Sequence, residues 1–259
     1  MAIIYALANQ KGGVGKTTTA INLGAYLAKL EQRVLLVDID PQANATSSVG
    51  IDKRAVRSGS YEALLDVDNG FPTILTNPKL KISILPSSPA LAGAEVELVD
   101  ELAREARLKR ALAFIKKRYD YIIIDCPPSL GLLTLNGLVA AANGLLIPVQ
   151  CEYLALEGLG QLTQTVERVR NVISPDLKIR GVILTMYDSR TNLANDVVQE
   201  VRRFFPNQVF QTIIPRSVRL AEAPSYGIPI SEYDPGSAGA VAYQSLAKEI
   251  LDQDRNSKT

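Results

Sequence analysis

The run Ile3-Ile4-Tyr5-Ala6-Leu7-Ala8-Asn9-Gln10-Lys11-Gly12-Gly13-Val14-Gly15-Lys16-Thr17-Thr18 reads as a short buried strand and a glycine-rich turn, followed by an amphipathic helix from Thr19 to Leu30. Gly12, Gly13 and Gly15 let the backbone fold tightly and turn successive N–H groups inward. The product is an anion nest at a helix N-terminus, where the macrodipole also favours negative charge. In such a cradle Lys16 reaches the β- and γ-phosphates of a nucleotide and the Thr17 hydroxyl takes a Mg²⁺ position, with Val14 and Thr18 completing the loop. The general pattern G-x-x-x-x-G-K-[ST] asks for glycine where this chain has Gln10, and a second lysine, Lys11, opens the loop instead. A lysine in both places is the deviant form of the motif. The competing reading is a Gly/Lys-rich surface turn that binds nothing; the strand before the loop and the helix after it argue against that.

Working outward, Arg33-Val34-Leu35-Leu36-Val37-Asp38 is a continuous apolar run ending in a carboxylate, as expected of a strand buried on both faces of a parallel sheet. Ligands of such sheets lie beyond the C-terminal ends of the strands. Asp38 and Asp40, in Asp38-Ile39-Asp40-Pro41-Gln42, therefore emerge at the edge that carries the loop. An isolated D-x-D-P would be read as a turn cap, but beside a phosphate cradle it reads as chemistry. Tyr119-Asp120-Tyr121-Ile122-Ile123-Ile124-Asp125-Cys126-Pro127-Pro128 is a second such strand. It delivers Asp125 to the same edge, where a carboxylate can hold a Mg²⁺-bound water.

The remainder alternates. Residues from Gln42 to Pro78 read as a peripheral excursion with a helical stretch near Tyr61 to Leu65, followed by a strand at Leu80 to Leu85 and one long helix from about Ala90 to Lys117. Its charges, Glu95, Glu97, Asp100, Glu101 and Arg104 among them, read as a solvated face. Helices near Leu130–Ala142, Glu157–Val172, Leu193–Phe204 and Ala238–Leu251 then interleave with strands at Gly144–Val149, Ile179–Leu184 and Val209–Ile214, leaving Asp252 to Thr259 frayed. This pattern predicts an α/β fold of the P-loop NTPase kind, a mainly parallel twisted sheet with helices on both faces, built as a single domain over residues 1–259.

Composition narrows the chemistry. The chain has 259 residues and a net charge of +1, so any nucleic-acid affinity must come from a local patch. It has no histidine, which removes His-based triads, His general bases and most zinc sites. Cys126 and Cys151 are the only cysteines and lie in apolar surroundings, as in a reduced cytosolic protein. No signal-type segment opens the chain, and its first apolar run is too short to span a bilayer. The expectation is a cytoplasmic protein with no membrane contact.

The sequence resembles the ParA/Soj partition ATPases of the deviant Walker A class. The resemblance rests on Lys11 to Thr18, Val37 to Gln42, Asp125-Cys126-Pro127-Pro128-Ser129, Pro148 to Glu152, Thr185-Met186-Tyr187-Asp188 and Ile214 to Ser225. It implies an ATPase of weak basal activity that uses ATP and Mg²⁺, pairs as a homodimer around two nucleotides and binds double-stranded DNA without sequence preference on the nucleoid. A ParB/Spo0J-type centromere-binding protein would stimulate its hydrolysis. By the same resemblance Lys11 reaches the partner's nucleotide, Lys16 and Asp40 serve catalysis, Asp38 and Asp125 support the metal, and Met186, Pro215 and Ser217 meet the adenine. Arg190, Arg216 and Arg219 would contact DNA; from Lys178 to Arg219 there are seven basic residues against three acidic ones. No helix-turn-helix precedes the loop. A membrane-cycling ATPase of the Min type shares the loop, but the chain's end, Lys248 to Arg255, is too acidic and too poor in apolar residues for a membrane-binding helix.

Overall fold

The computed structural model describes residues 2–66, 72–152 and 155–256. Its strands are β1 (Ile3–Leu7), β2 (Val34–Asp38), β3 (Leu75–Asn77), β4 (Ile82–Leu85), β5 (Tyr121–Asp125), β6 (Gly144–Gln150) and β7 (Ile179–Thr185). They form one sheet in the order β3-β4-β2-β5-β1-β6-β7, parallel throughout except for the β3–β4 pair. The helices are α1 (Lys16–Lys29), α2 (Asn44–Ser48), α3 (Ser60–Leu65), α4 (Leu91–Glu97), α5 (Arg107–Ala113) and α6 (Leu132–Ala140), then α7 (Ala155–Val172), α8 (Asn192–Phe204), α9 (Val218–Glu222), α10 (Ile230–Tyr233) and α11 (Ala238–Asn256).

Both faces of the sheet are covered, which is why the strands are apolar without alternation. In β1, Ile4 and Ala6 pack into the layer that holds α5 to α8, whereas Ile3, Tyr5 and Leu7 pack against α1 and α11. The two-residue period sends neighbours to opposite cores. The central position of β1, between β5 and β6, puts the loop after it in the middle of the sheet's C-terminal edge.

The structure departs from the sequence expectation in four places. The helix expected from about Ala90 to Lys117 is broken into α4, a 3-10 turn at Arg104–Ala106, α5 and a second 3-10 turn at Lys116–Arg118. Tertiary hydrogen bonds override propensity there: Arg107 donates to the carbonyls of Leu64 (2.7 Å) and Leu65 (2.6 Å), and Asn136 Nδ2 donates to that of Arg104 (2.8 Å). The strand expected at Val209–Ile214 forms no continuous ladder: Val209 bridges to Val182 and the Ile214 N–H donates to the Leu184 carbonyl (2.9 Å), but between them the Glu249 carboxylate takes the N–H groups of Gln211 and Thr212. The C-terminal helix runs on to Asn256 rather than fraying after Leu251; residues 257–259 lie outside the described residues. The excursion from Gln42 to Pro78 is not peripheral in its first part, since Ala45, Thr46, Ser60, Ala63 and Leu64 are buried, and it contributes the unforeseen antiparallel strand β3; its residues 67–71 are outside the described set.

Candidate active site

The loop between β1 and α1 turns through Gly13 at φ 74° and Gly15 at φ 87°, both in the left-handed region where a side chain is strained. Lys16 follows and is buried, its ammonium donating to the carbonyls of Asn9 (3.0 Å) and Lys11 (3.2 Å). Burial draws its pKa below the usual lysine value, while the charges of Asp125, Cys126 and Asp40 oppose the shift. The cradle is tied to its neighbours. Thr185 Oγ1 donates to the Val14 carbonyl (2.8 Å), Asn9 Nδ2 donates to the Pro148 carbonyl (2.8 Å), and Asn9 Oδ1 accepts the Lys11 N–H (3.0 Å).

The carboxylates sit where the strand ends place them. Asp38 and Asp125 are register partners on β2 and β5, so two acids share one buried edge. Thr17 Oγ1 donates to Asp125 Oδ2 at 2.7 Å, while Asp125 Oδ1 is buried with no hydrogen-bond partner. Burial holds the Asp125 carboxyl well above the ordinary range, with the neighbouring Asp38 charge adding to the effect and the Thr17 bond working against it. An orphaned acid oxygen beside a hydroxyl is a donor set that suits a hard divalent cation. Among the described residues no cluster of three His, Cys, Asp or Glu could hold a metal unaided. Mg²⁺ fits that arrangement, because it commonly takes few protein ligands and completes its shell with phosphate and water.

Asp38, expected beside the metal, has both oxygens engaged by protein donors: the Asp40 N–H (3.1 Å), and the N–H and hydroxyl of Thr46 (2.8 and 2.7 Å). Its pKa is pushed up to about 6 by burial, against those three bonds. Asp40 accepts the Gln42 N–H (2.8 Å) and lines the cavity in front of the loop.

That cavity, about 330 Å³, is walled by Gly12, Gly13, Lys16, Thr17, Asp40, Asn44 and Pro128. It adjoins a second, about 230 Å³ and more apolar, walled by Thr185, Ile214, Pro215, Ser217, Leu220 and Tyr243; Gly15, Thr18 and Met186 belong to both. A polar chamber running into an apolar one matches a triphosphate joined to a base. All three residues expected at the adenine, Met186, Pro215 and Ser217, line the second chamber. Tyr243, from α11, lies far off in sequence and carries no motif, so nothing in the sequence singles it out. The same holds for Asn44, which lines the first chamber, and for Thr46 and Ser87, whose hydroxyls reach the β2 end only in the folded chain.

Of the expected DNA contacts, Arg190 and Arg216 lie on loops past β7, where Tyr187 bridges to Pro215, and Arg219 lies in α9; Arg216 also lines the second chamber. Each guanidinium is ion-paired: Arg190 with Asp188, Arg216 with Glu152, and Arg219 with Glu222 and Asp234. These pairs are exposed and worth little individually, so a phosphate can displace them. The Arg190 bonds hold Asp188 down at about 2.

A parallel sheet with a glycine-rich phosphate cradle at its centre and acid-bearing strand ends around it defines a nucleotide-binding protein of the P-loop class. The AAA-domain family AAA_31 matches residues 1–179. The chain is 56% identical to the sporulation initiation inhibitor protein Soj of Bacillus subtilis, over 96% of this chain and 98% of that one. It is 55% identical to the chromosome partitioning protein ParA of Myxococcus xanthus, over 97% and 88%. It therefore belongs to the Soj/ParA family of chromosome-partitioning ATPases. Among solved structures, one described as cobyrinic acid a,c-diamide synthase of Mycobacterium smegmatis, with bound ATP analogue and magnesium, superposes with a TM-score of 0.85 at 39% identity, covering 98% of this chain and 96% of that one. The septum site-determining protein MinD of Pyrococcus horikoshii, complexed with Mg-ADP, gives 0.73 at 26% identity, covering 96% of each.

Proposed function

We propose that this chain, acting as one domain over residues 1–259, hydrolyses ATP in chromosome or plasmid partition. It dimerises face to face on ATP, binds duplex DNA without sequence preference, and is stimulated by a ParB-type partner. The supporting observation is the different state of the two loop lysines. Lys16 is buried and held by its own loop, whereas the Lys11 ammonium, at the loop's opening, meets no acceptor among the described residues. An inner amine fixed on its own triphosphate site and an outer one left open suit a nucleotide shared between two subunits.

In this reading Lys16 offsets charge developing on the transferred phosphoryl oxygens, and Asp40 orients the attacking water. Thr17 and Asp125 would hold Mg²⁺, which when bound neutralises phosphate charge. Phosphoryl transfer asks chiefly for positioning and electrostatics, so the lack of histidine is no obstacle. Met186, Pro215 and Ser217 receive the base, and Arg190, Arg216 and Arg219 meet DNA phosphates. No helix among the described residues is long and apolar enough to cross a membrane, and the C-terminal helix packs on the sheet, with Asp254 buried.

The test is ATP turnover measured with duplex DNA and a ParB-type protein, separately and together, alongside gel filtration with a non-hydrolysable ATP analogue. Synergistic stimulation and a dimer that Lys11→Ala abolishes are expected. Turnover indifferent to both additions, with a monomer in ATP, would overturn the reading.

A further inference from the structure

Behind Asp40 three separate segments close a ring of hydrogen bonds. The Asp40 N–H donates to Asp38 Oδ1 (3.1 Å), and Asp38 Oδ2 accepts the N–H (2.8 Å) and the hydroxyl (2.7 Å) of Thr46. Thr46 Oγ1 in turn accepts the Ser87 N–H (2.9 Å), and the Ser87 hydroxyl donates to the Asp40 carbonyl (2.7 Å). Asp38, Thr46 and Ser87 are at most 1% exposed and Asp40 is 7% exposed. The Ser60 hydroxyl braces the same corner by donating to the Asp38 carbonyl, while its N–H donates to the Pro86 carbonyl (2.8 Å).

The ring has one sense. Thr46 has a single hydroxyl hydrogen, committed to Asp38, so the oxygen's remaining capacity is for accepting, and Ser87 fills it. Asp40 lies past the end of β2, where the sheet ladder no longer holds the chain, and Ala43 nearby takes a strained φ of 52°. The ring substitutes for the ladder at the Asp40 N–H and, beside the Ala43 N–H (2.8 Å), at its carbonyl.

We propose that Thr46 and Ser87 are positioning residues for hydrolysis: without touching the nucleotide, they fix the main chain of Asp40 so that its carboxylate addresses the attacking water. The inference rests on the role given to Asp40 above. A displacement of about 1 Å can cost on the order of 100-fold in rate, so a ring that fixes two backbone atoms of one acid has leverage over turnover.

Thr46→Val keeps the shape and the N–H but removes both roles of the hydroxyl, and Ser87→Ala removes one bond only. Both should lower kcat, Thr46→Val by about tenfold or more, while affinity for a fluorescent ATP analogue stays close to that of the parent. Thr46→Ser should restore most of the rate. In nucleotide-free protein, amide hydrogen exchange over residues 38–46 should speed up in both variants, a readout independent of turnover. If Thr46→Val does not fold, Ser87→Ala decides. Parent-like kcat in the folded variants, or a loss of ATP affinity equal to the loss of rate, overturns the proposal. Asp40→Ala, measured in parallel, separates the two claims. If it turns ATP over at the parent rate, the role of Asp40 itself is wrong and the ring's role falls with it.

Discussion

In the proposed mechanism, single side chains at this site divide into those that meet the nucleotide and those that aim them. Removing the carboxylate proposed to orient the water should stop chemistry without preventing binding: Asp40→Ala is expected to lose on the order of 100-fold in ATP turnover, while a dimer formed in ATP persists through gel filtration. Gly15 makes the opposite prediction. Its φ of 87° lies in the left-handed region where a side chain is strained, so Gly15→Ala distorts the cradle itself. Nucleotide affinity, measured by calorimetry, should then fall with turnover. At this scale the sequence was most informative where chemistry is local. Gly12 to Thr17 are neighbours in the chain, so spacing alone discloses them, and Asp125 is marked by the apolar run that ends in it. Thr46, Ser87 and Tyr243 are ordinary residues in sequence. They matter only because folding carries α2, the chain beyond β4 and α11 to the same edge.

Among the elements, α11 shows how a surface helix is locked. Its Asp254 accepts hydrogen bonds from Tyr5 (2.6 Å), Tyr121 (2.9 Å) and Arg180 (3.1 Å), tying the helix to β1, β5 and β7. Arg180 also lies over the rings of Tyr5 and Phe210. Asp254→Ala leaves a largely buried guanidinium and two phenols without their partner, and should cost about 3 kcal/mol in a denaturant titration. The phenols add a pH signature. Burial, reinforced by Asp254, raises the pKa of Tyr5 and Tyr121 above the ordinary tyrosine value. A folded-state pKa above the unfolded one means that the contribution is fully present below pH about 10 and is lost as pH rises beyond it, at up to about 1.4 kcal/mol per pH unit for each phenol. The denaturation midpoint should fall less steeply between pH about 10 and 11 in Tyr121→Phe than in the parent. This network also explains why the polar end of the chain stays helical: period and propensity describe a helix but not the partners that hold its last turn. The broken 90–117 segment is the converse, good helical sequence redirected by Arg107 and Asn136.

For the whole molecule the decisive property is charge placement, since a net charge of +1 gives no general attraction to nucleic acid. Arg190 and Arg216 lie on loops beyond β7 and Arg219 in α9, each on an exposed ion pair that a phosphate can replace. Arg219→Glu should abolish DNA retention in a gel shift at low salt, yet leave ATP-dependent dimerisation intact. In the parent, affinity should fall steeply and linearly with the logarithm of salt, alike for unrelated DNA sequences, as backbone contact requires. The sequence by itself determined the sheet's class, the phosphate cradle and the acids at its strand ends, because these follow from hydrophobic period, glycine freedom and contiguous spacing, all short-range properties. Tertiary structure alone decided which hydroxyls brace Asp40, which tyrosine walls the second chamber and where two apparent elements break or lapse. Those outcomes depend on buried polar groups finding partners remote in the chain, and an unpaired buried donor or acceptor costs more than local preference can return.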